Sequence, residues 1–290
     1  MGLFLVIIVA LGWFLSYYFQ TPEILWIAVA VSLFMNVVSY WNSDKIVLSM
    51  TKAKLVEFKD SPELYRLVEN LCITAGLPVP KIYVIPELAS NAFATGRNPK
   101  NAVIVFSVGL LQKLNKQELE GVIGHELSHI GNRDILLQTV TVVLVGLVTI
   151  ASDFFLRSSL LGKGRKSDDN QGNAGAILMV IGIVFILLSP FISRIVQLAI
   201  SRKREYLADS SGALLTRYPE GLASALEKIS SDETPMRVAS NATAHLFICN
   251  PFRGKQKNSW LVKLFSTHPP IEERVKILRA MDLNTNGEVA

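Results

Sequence analysis

The sequence predicts a mainly α integral membrane protein: four transmembrane helices joined to an α+β domain with a small β-sheet. Three observations carry that prediction. Half of the 290 residues are hydrophobic, only 18% are charged, and the mean hydropathy is +0.36. Four apolar stretches, 3–19, 24–41, 135–156 and 176–200, approach the length needed to cross about 30 Å of hydrocarbon. The intervening and following segments, 42–134 and 201–290, turn polar and mix helical with β-type patterns.

The first two stretches are separated only by Gln20-Thr21-Pro22-Glu23, so residues 1–41 read as a membrane hairpin. The first lacks a basic leader and a small-residue cleavage site, and is expected to stay attached as an anchor. Val6 breaks the myristoylation pattern. In 42–134, Ser61-Pro62 opens a helix with Leu64, Leu67, Val68, Leu71 and Cys72 on one face, and Gly76 closes it. Lys81–Ile85, Ala92–Thr95 and Ala102–Ser107 are short β-type runs, the last two joined by the turn-rich Gly96–Asn101. Ala102–Phe106 is read either as a sheet edge that could take a peptide as an added strand or as one arm of an ordinary hairpin. A helix then begins at Asn115, with Glu118 as capping-box partner and an apolar stripe of Leu119, Val122, Ile123, Leu127 and Ile130.

Residues 135–200 hold the third and fourth apolar stretches and a flexible Gly-, Ser- and Asn-rich loop, 157–175. The fourth is interrupted by Ser189-Pro190, Arg194 and Gln197, and a kink is expected at Pro190. The last segment, 201–290, opens on a helix carrying Glu205 and Asp209, continues in an amphipathic helix from Pro219 to Ile229, and turns loop-rich over 231–260. The tail from Asp282 is polar and expected to fray.

The net charge of +5 comes without an aromatic-interleaved basic patch, so no nucleic-acid partner is expected; the lipid bilayer is. Lys45, Lys52, Lys54 and Lys59 follow the second stretch, and Arg202, Lys203 and Arg204 follow the fourth, whereas the hairpin link has no Lys or Arg. By the positive-inside rule the polar domain faces the cytoplasm, although Arg157, Lys163, Arg165 and Lys166 in the far loop oppose that assignment. Cys72 and Cys249 lack metal-type spacing and read as buried thiols in a reducing compartment.

The chemistry concentrates in Gly124-His125-Glu126-Leu127-Ser128-His129-Ile130. Residues four apart share a helix face, so His125 and His129 can offer two imidazoles to one metal ion, and Glu126 sits one position round from them. Neutral imidazole suits Zn²⁺, and an open zinc site can lower the pKa of a water whose proton a neighbouring carboxylate takes. A third protein ligand is required, and the best candidate is Glu205 in Ser201-Arg-Lys-Arg-Glu-Tyr-Leu-Ala-Asp209. Two crossings return the chain to the side it left, so the two ligand-bearing segments would share one membrane face.

An H-E-x-x-H helix, a distant E-x-x-x-D helix and two hydrophobic spans between them resemble the HtpX family of membrane zinc proteases, kin to the CAAX prenyl endoproteases. The similarity covers essentially the whole chain, including Gly131-Asn132-Arg133-Asp134, Ala244-His245-Leu246-Phe247 and Ser266-Thr267-His268-Pro269. It implies a zincin (gluzincin-like) catalytic domain, one Zn²⁺ per chain held by His125, His129 and Glu205, and Glu126 as catalytic carboxylate. It implies Asp209 as the partner of a ligand imidazole; from the residues alone, the alternative is a helix-surface acid paired with Arg or Lys. His268 becomes a candidate to stabilise the oxyanion, the alternative being a turn histidine that caps the next helix. His245 reads as a structural histidine.

The activity the resemblance implies is hydrolysis of misfolded or damaged membrane proteins in the bacterial inner membrane under stress. The competing readings are a CAAX-type maturation protease, a metal transporter and a non-catalytic membrane chaperone or scaffold. A transporter would place its ligands inside the spans, whereas these flank them.

Overall fold

The computed structural model describes residues 2–142, 201–240, 243–252 and 269–285. The chain divides into two compact units: Met1–Ser43 with Val143–Arg194, and Asp44–Val142 with Ile195–Ala290. In the first, helix α1 (Gly2–Phe19) turns at Gln20 into α2 (Glu23–Thr51), whose last turns belong to the second unit. Gly12 lets α1 approach α2 closely, because a methyl group there would collide with the Ala28 Cβ. The helix thus runs ten residues beyond the expected stretch 24–41. Among the described residues no helix is long and apolar enough to cross a membrane. The expected kink at Pro190, the loop 157–175, the third stretch beyond Val142 and the whole of the fourth lie outside the described residues.

The second unit carries a four-stranded mixed sheet in the order β1-β2-β4-β3. Its strands are β1 (Lys54–Leu55), β2 (Lys81–Ile85), β3 (Ala92–Gly96) and β4 (Ala102–Ser107). The three longer strands fall where period-2 and β-branched patterns predict; β1, two residues long, is too short to leave a pattern. β4 pairs parallel to β2 and antiparallel to β3. Ala102–Phe106 is therefore an internal strand, contrary to the expectation of an edge. Its unbroken apolar run is the mark of a strand covered on both faces, and each of its residues is buried.

The edge beside it is β3, and two of its outward groups are engaged. The Ala92 carbonyl accepts from the Ile248 N–H, and the Gly96 N–H donates to Thr139 Oγ1. The faces of β4 feed two cores. Ala102, Ile104 and Phe106 pack with the helices, and Val103 and Val105 pack with Val47, Phe93 and Phe247.

On the helical side lie α3 (Pro62–Ala75), the short α4 (Val108–Lys113), α5 (Lys116–Gly131), α6 (Arg202–Thr216), α7 (Pro219–Ser230) and α8 (Ile271–Thr285). Pro62 starts α3 at a position that needs no N–H. Gly76 ends it in the left-handed region (φ 65°), its N–H meeting the last carbonyls. The capping box at α5 forms as the sequence predicts: Asn115 Oδ1 accepts from the Glu118 N–H, and the Glu118 carboxylate accepts from the Asn115 N–H. Glu118 also accepts from Ser224 Oγ and Lys228 Nζ, which ties the start of α5 to α7. α8 continues to Thr285, three residues past Asp282 where fraying was expected to start; residues 286–290 lie outside the described residues.

Candidate metal centre

Helix α5 packs against α6 at a glycine pair, and that contact assembles the centre. A Cβ on Gly212 would stand 2.7 Å from the His125 backbone N and 2.9 Å from the Gly124 carbonyl carbon, so only glycine permits this approach. It brings His125 and His129 of α5 against Glu205 and Asp209 of α6, some eighty residues apart in sequence. All four are at least 96% buried.

The two imidazoles meet edge to face, with His125 Nε2 and His129 Nε2 3.2 Å apart. Glu205 closes the group, Oε1 lying 3.6 Å from His129 Nε2 and Oε2 lying 3.9 Å from His125 Nε2. Each imidazole turns its other nitrogen to a carboxylate. His129 Nδ1 is 3.1 Å from Asp134 Oδ2, and His125 Nδ1 is 2.9 Å from Asp209 Oδ1, though off the line of the N–H. Such pairing favours protonation at Nδ1 and leaves both Nε2 lone pairs facing one point.

His125, His129 and Glu205 are thus placed to hold a metal ion. The donor set, two neutral imidazoles and a carboxylate, is one that zinc takes at open sites. Charge supports the fit. Glu126, Asp134, Glu205 and Asp209 are four buried carboxylates, against one fully buried guanidinium, Arg274, and the partly exposed Arg204. Uncompensated buried charge is costly, and a dication here would offset the excess.

The titration of these groups follows from the same crowding. Burial, aided by the Glu205 charge, pushes the Glu126 carboxyl up to about 7 even though His129 and the Ala94 N–H oppose it. That is the range in which a carboxylate can both take and return a proton at neutral pH. Burial would lower His129, but Asp134, Glu205 and Glu126 outweigh it and push the ring up to about 9. A cation at Nε2 competes directly with that second proton. Burial holds His125 below its ordinary value despite Asp209. Asp209 would rise on burial, yet the Arg274 guanidinium holds it at about 2.

The sequence matches a known set of proteins. The model of peptidase family M48 matches residues 59–282. The chain belongs to that family. A protein named Protease HtpX homolog from Thermoanaerobacter pseudethanolicus is 46% identical over 284 residues, covering 97% of this chain and 92% of that one. One from Syntrophobacter fumaroxidans is 49% identical over 257 residues (88% and 89%), and one from Pyrococcus furiosus 48% over 255 (87% and 85%). The crystal structure of S. mikatae Ste24p superposes with a TM-score of 0.51 at 21% identity, a likeness of fold. It covers 93% of this chain, which spans only 62% of that longer one. This M48 chain is accordingly a metallopeptidase related to HtpX.

Within the M48 site, the structure brings His125, Glu126, His129, Glu205 and Asp209 together. It places His245 elsewhere: buried, with Nε2 donating to the Gln138 carbonyl at 3.2 Å. His268 lies outside the described residues. Sequence reading missed Asp134 and Arg274. Asp134 left a signal, an acid five residues past His129 in a motif already singled out. Arg274 left none short of its burial. A groove of about 620 Å³ lined by Leu64, Leu67, Leu111 and Leu119 shares no residue with the centre.

Proposed function

We propose that this chain is a membrane-bound zinc endopeptidase acting on misfolded or damaged membrane proteins, with its catalytic domain on the cytoplasmic face of a bacterial inner membrane. The observation that carries the reading is the convergence of His125 and His129 with Glu205 around one point, beside the buried carboxylate of Glu126. His125, His129 and Glu205 are the ligands, Glu126 the general base, Asp209 the partner of His125, and His268 the candidate oxyanion donor.

A bound zinc ion would supply Lewis acidity, polarising a peptide carbonyl and acidifying a water. The protein does the rest. Glu126 accepts a proton from the attacking water and returns it to the leaving amine, a cycle suited to a carboxyl poised near 7. The Ala94 N–H of the sheet edge lies beside the Glu126 carboxylate and favours its ionised form. Asp134 and Asp209 fix the two imidazoles, and burial of the whole group keeps bulk water from competing.

Membrane placement draws support from α1 and α2, whose exposed side chains are large and apolar. Tyr17, Tyr18 and Trp26 flank the connecting turn and Trp41 lies toward the other end, the distribution of aromatic belts at two interfaces. In this reading residues 1–41 form a hairpin of two spans and 135–200 two more, while 42–134 and 201–290 fold together as the catalytic domain.

The test is cleavage of casein or a membrane protein by the full-length, detergent-purified protein, with Zn²⁺ returned after chelation. Wild type should cleave. Glu126→Gln should bind zinc without cleaving, and Glu205→Ala should bind it poorly. Cleavage by Glu126→Gln at the wild-type rate would overturn the assignment and favour a chaperone or scaffold.

A further inference from the structure

Arg274, in the first turn of α8, is fully buried and heads the largest side chains so enclosed. A guanidinium in such a place persists only if its donors are met. Nε and Nη2 form a fork on Asp209, each 2.7 Å from one carboxylate oxygen, and Nη1 donates to the Ile248 carbonyl at 3.1 Å. Nη1 also stands 4.0 Å from Glu205 Oε2.

These contacts reach three parts of the centre at once. Asp209 faces the His125 imidazole. Glu205 closes the ligand group. Ile248 pairs with Ala92 on β3, two residues before the Ala94 N–H that meets Glu126. Glu205 and Asp209 lie one turn apart on α6, where like charges repel, and burial strengthens that repulsion. Without a cation beside both, the ligand and the carboxylate behind His125 could not share that face in ionised form.

We propose that Arg274 is a positioning residue of the metal site, holding Glu205 and Asp209 on one helix face and tying that face, through Ile248, to the strand beside Glu126. The inference rests on the metallopeptidase reading. A planar fork engages both Asp209 oxygens while a third nitrogen reaches Ile248; the single ammonium of lysine cannot span both partners.

The test measures zinc affinity by competition with a chromogenic chelator, on full-length detergent-purified protein, together with the rise in melting temperature that Zn²⁺ produces. Arg274→Met should weaken zinc binding about 10–100-fold and shrink the zinc-induced rise, with Arg274→Lys between it and wild type. Asp209→Asn should weaken binding similarly. The double variant Asp209→Asn/Arg274→Met removes both charges of the fork, so it keeps the test open if Arg274→Met does not fold. Its loss of zinc affinity should be smaller than the product of the two single losses, because Asp209 is one of the groups through which Arg274 acts. A folded Arg274→Met that binds zinc within threefold of wild type, or a folded Arg274→Lys with wild-type affinity, overturns the inference, as do losses that multiply in the double variant. A wild type that binds no zinc removes the metallopeptidase reading as well; normal wild-type binding with an indifferent Arg274 removes this inference alone.

Discussion

Replacing Gly212 by alanine tests the helix contact that assembles the centre. The added methyl would meet the His125 N at 2.7 Å and the Gly124 carbonyl carbon at 2.9 Å, where ordinary contact starts at 3.4 Å. Both are backbone atoms within α5, so no side-chain rotation relieves the clash, and α6 must move away by about 0.7 Å. Glu205 and Asp209 ride on α6 and move with it. Metal sites tolerate about 0.2 Å in ligand distance, so zinc affinity should fall at least about tenfold. Stability responds to two opposed terms: alanine gains about 1 kcal/mol in helix propensity, and overpacking costs about 1–3 kcal/mol. The net is a loss of up to about 2 kcal/mol. The control is Gly131→Ala, whose methyl would meet only the Leu77 side chain at 3.7 Å or more and should leave zinc binding within threefold. Chelator competition and thermal unfolding of the metal-free protein read the two effects. A Gly212→Ala variant that gains stability and binds zinc normally would refute the close packing of α5 on α6.

Three further outcomes follow from other parts of the structure. Asp134→Asn removes the carboxylate that orients His129 and should weaken zinc binding about 10–100-fold, read by the same competition; unchanged affinity would make the contact incidental. Burial raises Asp232, but hydrogen bonds from Ser90 and Thr234 outweigh it and hold the carboxyl well below its usual range. A depressed native pKa stabilises above the unfolded value of about 3.9 and loses that effect as pH falls. The stability gap between wild type and Asp232→Asn should therefore be constant from pH 7 to 5 and close below pH 4; a gap that widens in acid would contradict a stabilising role for these hydrogen bonds. Burial, with a smaller push from Glu69, raises the Cys72 thiol to about 11. Its alkylation by iodoacetamide at pH 8 should run more than about 100-fold slower than that of a free thiol until the protein unfolds.

The parts legible in the sequence are those written in local patterns. The α3 boundaries follow from Pro62 and Gly76, the start of α5 from the Asn115–Glu118 box, and the metal group from two histidines four apart and an E-x-x-x-D helix. The order of the strands was not legible, because pairing is long-range, and β4, expected at an edge, lies inside the sheet. Glycines 124 and 212 each look like ordinary interruptions of a helix; their meaning lies in facing each other. Arg274 is the extreme case. In sequence it is one of several charges at the start of an amphipathic helix, beside Glu272 and Glu273, and nothing local sets it apart. What distinguishes it is that two acids on another helix need a buried cation, a requirement that exists only once α6 and α8 are packed together. Spacing therefore exposes the ligands, which must share a face to bind at all. The groups that hold those ligands still can come from anywhere in the chain, and only the folded structure identifies them.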